Sequence, residues 1–380
     1  MQRGTAAVIV FTCACFAARA QEKVPPPAAA APARPPCGIH APAEGWNAEA
    51  QFIAGMDGSK FTASLAPQQR AAWSYYARAG SADWKRVKAQ YLDRIDDWRK
   101  TSLSSTTPGG VAFYPFSGPD AANVLRFFPD VREYVMIGLE PVGCIPAKPS
   151  DFAASYWPNL RQSLQSVVAM GFFKTDDMRK DFSADGVEGV LPALLFLVSR
   201  SGYAVTDVVP VMVGADGKLI PAGGPVKPEA RGVTIKFEDE KHTPRALTYL
   251  SVNLHDSSLK RKPGTLQYLS SLPKPVTLVK SASYLMHKKY FSSIREVILT
   301  HSAAIVEDDS GIPFKFFDKA VWDVHLYGHY TKPIEMFNTW YQDDLKSAFS
   351  APGSAQTLEF GIGYKYRANA STLILARRRG

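Results

Sequence analysis

The stretch Val111–Gly143, VAFYPFSGPDAANVLRFFPDVREYVMIGLEPVG, constrains this chain more than any other. It reads as strand, polar loop, helix and strand in succession. Val111, Phe113 and Tyr114 make a short β-prone run that stops at Pro115. Ser117 or Asp120 can cap the helix that follows, and Pro119 is tolerated in a first turn, where its missing N–H has no helical partner. Helix-compatible residues continue to Pro129, and Tyr134–Ile137 forms a second buried strand ending in Gly138-Leu139-Glu140. A helical crossover joins parallel neighbours, because a tight turn cannot. Ligand crevices in such units lie beyond the carboxyl ends of the strands. The candidate ligand-binding residues are therefore Ser117, Gly118, Asp120 and Glu140, which are expected to bound a small polar pocket.

Gly118 and Glu140 are 22 residues apart. An acidic residue about 20 positions after a glycine loop can accept hydrogen bonds from ribose hydroxyls. On these residues the unit resembles the first half of an S-adenosylmethionine-dependent methyltransferase or another Rossmann-like domain. It departs from that pattern in having one glycine, followed by proline, where G-x-G-x-x-G is usual. No cofactor is predicted, and tight binding of S-adenosylmethionine is not expected.

The remaining chain extends this unit into an α/β domain over residues 106–380. The expected fold is a Rossmann-like, mainly parallel sheet with inserted antiparallel hairpins, preceded by a helical segment over 45–105. Within that segment Trp84, Val87, Tyr91, Ile95 and Trp98 mark one apolar face of a helix over Ala82–Ser102. A helix over Ser150–Met170 is expected to break at Pro158, with short helices over Lys174–Phe182 and Val190–Ser201. Tyr203–Val213, the Asp216-Gly217 turn, Val233–Phe237 and Ala246–Leu254 read as antiparallel strands. Strand and helix then alternate through Val276–Lys280, Phe291–Thr300, Ala303–Val306, Val321–Tyr330 and Ile334–Phe349. A closing hairpin is expected from Leu358–Tyr366 and Thr372–Leu375. A parallel series that closes in this way is a second methyltransferase-like feature.

The N-terminus is of another kind. Arg3, the apolar run Ala6–Ala17 and the small-x-small site Ala18-Arg19-Ala20 read as a signal peptide over 1–20. The run is too short to span a bilayer, so no transmembrane segment is expected in the mature protein. Residues 21–44 form an Ala/Pro-rich linker. The expected location is periplasmic or secreted. The formal charge of +9 falls to +7 once Arg3 and Arg19 leave. The excess gathers at Lys260-Arg261-Lys262, Lys288-Lys289 and Arg377-Arg378-Arg379. Such runs are solvated faces or contacts for anionic lipid or polysaccharide. Export and the lack of a recognisable module speak against nucleic acid as a partner. Cys37 and Cys144 remain after cleavage and form a candidate disulfide.

The mature chain contains no G-x-S-x-G, H-E-x-x-H, G-x-x-x-x-G-K-[ST] or C-x-x-C motif. His325 and His329 stand on one strand face about 13 Å apart, too far to share a metal ion, so no metal site is predicted. Asp308, in Glu307-Asp308-Asp309, follows a buried strand and would share a rim with Asp120 and Glu140. Three roles remain open. The first is a binding or non-catalytic module for an unknown small polar ligand or envelope component. The second is a periplasmic, hydrolase-like enzyme using those carboxylates. The third is a protein- or glycan-binding scaffold presenting the N-terminal aromatic helices.

Four segments, YPFSGPD at 114–120, FFP at 127–129, GLEPVG at 138–143 and DDSGIP at 308–313, resemble those of a group of uncharacterised exported bacterial proteins. The resemblance spans most of residues 45–376 and implies no particular activity. Exported material should begin at or near Gln21 and carry a Cys37–Cys144 bridge, which in the chain-entropy model stabilises by about 4–5 kcal/mol. N-terminal sequencing and non-reducing mass spectrometry check both, and an intact Met1 or two free thiols would contradict them.

Overall fold

The computed structural model describes residues 37–103, 110–170, 187–223 and 227–380. The expected signal peptide, most of the expected linker and the helix expected over Lys174–Phe182 lie outside these residues. In chain order the strands are β1 (Cys37–Gly38), β2 (Val111–Tyr114), β3 (Glu133–Gly138), β4 (Ile145–Pro146), β5 (Ala204–Val213), β6 (Leu219–Pro221) and β7 (Ala230–Glu238). They continue with β8 (Pro244–Ser251), β9 (Val276–Val279), β10 (Ala304–Glu307), β11 (Trp322–Gly328), β12 (Ala355–Gln356) and β13 (Thr372–Arg378). The α-helices are α1 (Trp46–Ile53), α2 (Pro67–Val87), α3 (Asp93–Ser102), α4 (Ala121–Phe127) and α5 (Tyr156–Met170). After them come α6 (Leu191–Arg200), α7 (Asp256–Arg261), α8 (Pro263–Ser270), α9 (Ser292–His301) and α10 (Asp343–Ser350).

Eleven strands form one sheet in the order β12-β11-β13-β10-β9-β2-β3-β8-β7-β5-β6. The central block β10-β9-β2-β3-β8 is parallel. Phe113 pairs with Val135, so β2 and β3 are the parallel neighbours that their helical connection requires. Antiparallel pairing takes over on one side at β8–β7 and β7–β5, and on the other at β10–β13 and β13–β11. The sheet is therefore mixed and, by paired residues, mostly antiparallel. This corrects the mainly parallel expectation. Long antiparallel ladders such as β5–β7 and β7–β8 outweigh the short parallel ones, because two hairpin-linked strands can run much further together than β2 or β9.

The chain turns opposite ways from the centre. It leaves β2 toward β3, and it leaves β9 toward β10, on the other side of the β2–β9 pair. Two right-handed crossovers moving in opposite directions must lay their helices on opposite faces. Accordingly, Val124, Leu125 and Phe127 of α4 belong to one apolar cluster, and Ile294, Val297 and Ile298 of α9 to the other. Along β2 the side chains alternate between them, with Ala112 and Tyr114 on one face and Val111 and Phe113 on the other.

The N-terminal helices cover the α4 face. Trp84, Val87, Ile95 and Trp98 are all buried there, and the Trp98 ring meets Phe127, Tyr327 and Phe360 edge-on. The face predicted over Ala82–Ser102 is real, but it is carried by α2 and α3 joined through a π-helical turn at Lys88–Leu92. Trp157 ties this layer to α5, with Phe52, Tyr76, Phe152 and Tyr156 around it at centroid distances of 5.0–5.3 Å. Arg200 at the end of α6 donates from Nε to Ala54 O (2.9 Å) and from its terminal nitrogen to Gly55 O (3.0 Å), filling carbonyls left open at the end of α1.

Three expected elements differ. Pro158 sits in the first turn of α5 and does not break it, because the first-turn N–H has no partner to lose. Ile334–Phe349 is a 3-10 segment, Glu335–Trp340, followed by α10. Leu358–Tyr366 forms no strand. β13 instead inserts between β10 and β11, where both its edges are paired. Trp157→Ala should cost about 3–5 kcal/mol, the usual range for emptying a buried aromatic site. Urea unfolding checks this, and a loss below about 1 kcal/mol would contradict the packing described.

Candidate functional site

Between β2 and β9 the order of the parallel strands reverses. In open α/β sheets ligands bind outside the carboxyl ends of the strands at such a point. The loop after β2 supplies Pro115–Asp120, the end of β3 supplies Gly138–Glu140, and the loop after β9 supplies Lys280–Tyr284. A cleft with an accessible volume of about 100 Å³ opens among them. Phe116, Ile137, Val252 and Phe291 give it apolar walls, and Gly118, Glu140, Asn253, Ser281 and Ser283 add polar groups.

Glu140 is held at the cleft. Its Oε2 accepts a hydrogen bond from Leu139 N–H (3.1 Å), and the Tyr249 hydroxyl lies 3.2 Å from Oε2 and 2.9 Å from the Glu140 carbonyl. Burial pushes the Tyr249 phenol well up, and the neighbouring Glu140 carboxylate adds to this, so Tyr249 stays a donor. Gly138 allows the close approach. A Cβ there would lie 2.4 Å from the Tyr249 oxygen, 2.6 Å from Glu140 Oε2 and 3.0 Å from Gly118 Cα.

Three N–H groups of the loop after β2 are spent within the protein. Ser117 N–H donates to Ile137 O (2.8 Å), Asp120 N–H to Ser117 O (3.3 Å) and Ala121 N–H to Pro119 O (2.7 Å). The Ser117 hydroxyl is also spent on carbonyls, Gly118 O at 2.9 Å and Ile137 O at 3.1 Å. Ser117 is buried and does not border the cleft.

Asp120 turns inward as well. Its Oδ2 lies 2.8 Å from Lys280 Nζ, and both side chains are at most 2% exposed. Tyr114 donates its hydroxyl to Asp120 Oδ2 (2.9 Å), and Asn123 Nδ2 donates to both carboxylate oxygens (2.8 and 3.0 Å). Tyr91 donates in turn to Asn123 Oδ1 (2.6 Å). Burial, then the Asp120 charge, drives both phenols well above their usual range.

Asp308 stands one layer behind the cleft wall. Its Oδ2 accepts Ser281 N–H (3.3 Å), and its Oδ1 accepts the Ser310 N–H (3.1 Å) and hydroxyl (2.6 Å). Ser310 Oγ accepts Ala282 N–H (2.8 Å), and Asp309 Oδ2 accepts the Tyr284 hydroxyl (2.6 Å). These contacts hold a loop in which Ser281, Ser283 and Tyr284 all have φ of 52°, while Phe116 opposite has φ of 57°. Left-handed backbone at non-glycine residues costs about 1–3 kcal/mol each, and it persists where the surroundings enforce it, often at functional sites. Burial first, then repulsion from Asp309, raises the Asp308 carboxyl to about 6. Burial pushes Glu307 well above its usual range too.

Gly118 and Glu140 thus meet at one cleft. Asp308 reaches it only through Ser281, while Ser117 and Asp120 belong to the supporting structure. The three carboxylates do not converge as an acid–base set. Sequence reasoning missed Lys280, Tyr249 and the strained Ser281–Tyr284 loop. The one available signal was Lys280 itself, a lysine directly after an apolar strand, which demands an acidic partner if buried. His325, one of the histidines considered for a metal, lies instead 2.8 Å from Asp323 Oδ2. Among the described residues no group of three or more His, Cys, Asp or Glu is placed to hold a metal ion. Comparison with known protein families, curated proteins and solved structures finds no match.

Removing one partner of the central pair, by Asp120→Asn or Lys280→Met, should destabilise by about 3–5 kcal/mol, whereas the two together should recover much of that, because the Asn oxygen can still accept from Tyr114. Chemical denaturation of the two single variants and the double variant checks it, and additive losses would contradict the pairing. Asp308 has the opposite sign from a paired carboxylate. Its raised folded pKa means that its contribution to stability is full below 3.8 and is lost as pH rises through about 6. Asp308→Asn should flatten that part of the stability–pH curve, and an unchanged curve would contradict the assignment.

Proposed function

We propose that the protein is an exported ligand-binding module of the cell envelope on a Rossmann-like scaffold. Its site is the cleft between Gly118, Glu140 and the Ser281–Ser283 loop. The observation that carries this reading is the meeting of Gly118 and Glu140 where the strand order reverses. In chain order the parallel strands β8-β3-β2-β9-β10 run 3-2-1-4-5, the order of doubly wound nucleotide-binding sheets. At the β10 edge β13 pairs antiparallel with both β10 and β11, in place of the expected closing hairpin.

The chemistry favours a ligand with an apolar body and neighbouring hydroxyls, of the nucleoside class. Glu140 would accept the hydroxyls, and Phe116, Val252 and Phe291 would cover the body. The small cleft and the Ser117, Asp120 and Ala121 N–H groups spent within the protein speak against a pyrophosphate. The enzyme reading loses support because Asp120 and Asp308 are engaged elsewhere. The aromatic-scaffold reading loses support because Tyr76, Trp84 and Trp98 are buried and only Tyr75 of that set is well exposed.

Export rests on the signal peptide read at Arg3–Ala20. The disulfide is supported by β1–β4 pairing, which sets Cys37 opposite Pro146 and Gly38 opposite Ile145, next to Cys144. No described helix is long and apolar enough to cross a membrane.

Titration calorimetry with adenosine, NAD and S-adenosylmethionine tests the site. Adenosine should bind, with Glu140→Ala removing the heat, and neither larger cofactor should bind more tightly. Micromolar binding of S-adenosylmethionine, abolished by Glu140→Ala, would overturn the exclusion of that cofactor. Silence with all three would overturn the nucleoside reading.

A further inference from the structure

A second surface lies beside the cleft and plays no part in it. Lys288 Nζ stands 5.8 Å from the Tyr290 ring centroid and 6.0 Å from that of Trp340. Arg295 and Lys315 lie over Phe316 at 4.3 and 5.5 Å. His287 packs on Trp340 at 5.7 Å and joins these groups into one patch. Lys289 and Lys315 are exposed, and so are Tyr290 and Phe316. The patch draws on the loop before α9, the turn after β10 and the 3-10 segment after β11, and Phe314 N–H bonded to Gln342 Oε1 (2.8 Å) ties the last two together.

The 3-10 segment is anchored by Phe337, which packs against Tyr284 and Tyr364 at 5.0 and 5.2 Å. The residue before it, Met336, is 80% exposed, more than any other large apolar side chain described, and Tyr341 is 43% exposed. Met336 shares its 3-10 segment with Trp340, on which Lys288 and His287 pack, and, held out into water, it has no packing role in the isolated fold. Burial and the Arg295 and Lys315 charges together keep His287 down at about 4, so the imidazole adds no charge at neutral pH. The acidic residues near these in sequence are Glu335, Glu296, Asp318, Asp343 and Asp344, and Asp256 acts on Arg295. Asp318 caps Ala320 N–H (2.9 Å), Asp344 accepts Leu345 N–H (2.9 Å), and Asp256 accepts the Ser292 and Ser293 N–H groups (3.1 and 3.0 Å).

We propose that this basic, aromatic surface docks the protein on an anionic lipid surface, with Met336 entering the interface. Lysines near an anionic bilayer contribute attraction, aromatic rings settle at headgroup level, and an apolar tip gains by leaving water. An anionic polysaccharide would use the lysines but would leave Met336 without a purpose. The inference stands independently of what the cleft binds.

Co-sedimentation with vesicles of phosphatidylcholine alone, and of phosphatidylcholine mixed with phosphatidylglycerol, tests it. All variants are compared in the same full chain, so the apolar N-terminal run is common to every sample. The protein should bind the mixed vesicles, more weakly at high salt, and bind the neutral ones far less. Lys288→Gln and Lys289→Gln should each weaken binding about fivefold. Met336→Ser should weaken it while leaving the salt dependence unchanged. Thermal unfolding of each variant should match the parent, since these side chains lie at the surface. Equal binding to both vesicle types, unchanged binding by the Lys288/Lys289 double variant, or no effect of Met336→Ser would overturn the proposal. Binding to heparin with no binding to mixed vesicles would overturn it in favour of a polysaccharide.

Discussion

The Lys280–Asp120 ion pair is the contact on which the site depends. It closes the gap between β2 and β9, the two strands from which the chain departs in opposite directions. Neither charge reaches water, so neither is tolerable without the other. Tyr114 and Asn123 complete the donor set around Asp120, and Tyr91 fixes Asn123 from the N-terminal helical layer. The pair therefore couples three parts of the fold. With Asp120 pinned inward, the preceding loop is drawn across Gly138, and Gly118 comes to rest beside Glu140.

The opposite wall begins one residue after Lys280. Its left-handed serines and tyrosine are not a conformation that the local sequence prefers. Side chains from the end of β10 and from Tyr364 impose it, through Asp308, Asp309 and Ser310. One wall of the cleft is thus set by an ion pair and the other by buried carboxylates, among which burial and the Asp309 charge hold the Asp308 carboxyl up. A site with walls fixed in this way is organised before any ligand arrives, which limits what binding has to order.

Local patterning made part of this legible. Period-2 strands, the Asp216-Gly217 turn and the crossover from β2 to β3 all announce themselves within about 30 residues, and the structure has them. Gly118 and Glu140 were readable for the same reason, since both lie inside one strand–helix–strand unit. What could not be read is non-local. Lys280 meets Asp120 across 160 positions, and no periodicity encodes that. β13 slips between β10 and β11 because those two strands leave a place for it, although its sequence suits a hairpin equally well. Ser281, Ser283 and Tyr284 carry no glycine signal for their positive φ, because the strain is imposed from outside the loop.

The central claim is that one cleft, at the reversal of strand order, receives the ligand. Mapping amide chemical shifts during titration with adenosine tests it most directly. The account predicts the largest changes at Gly118, at Leu139 and Glu140, at Asn253 and across Ser281–Ser283, with the pattern lost in Glu140→Ala. Changes confined to other surfaces, or an identical pattern in that variant, would contradict it.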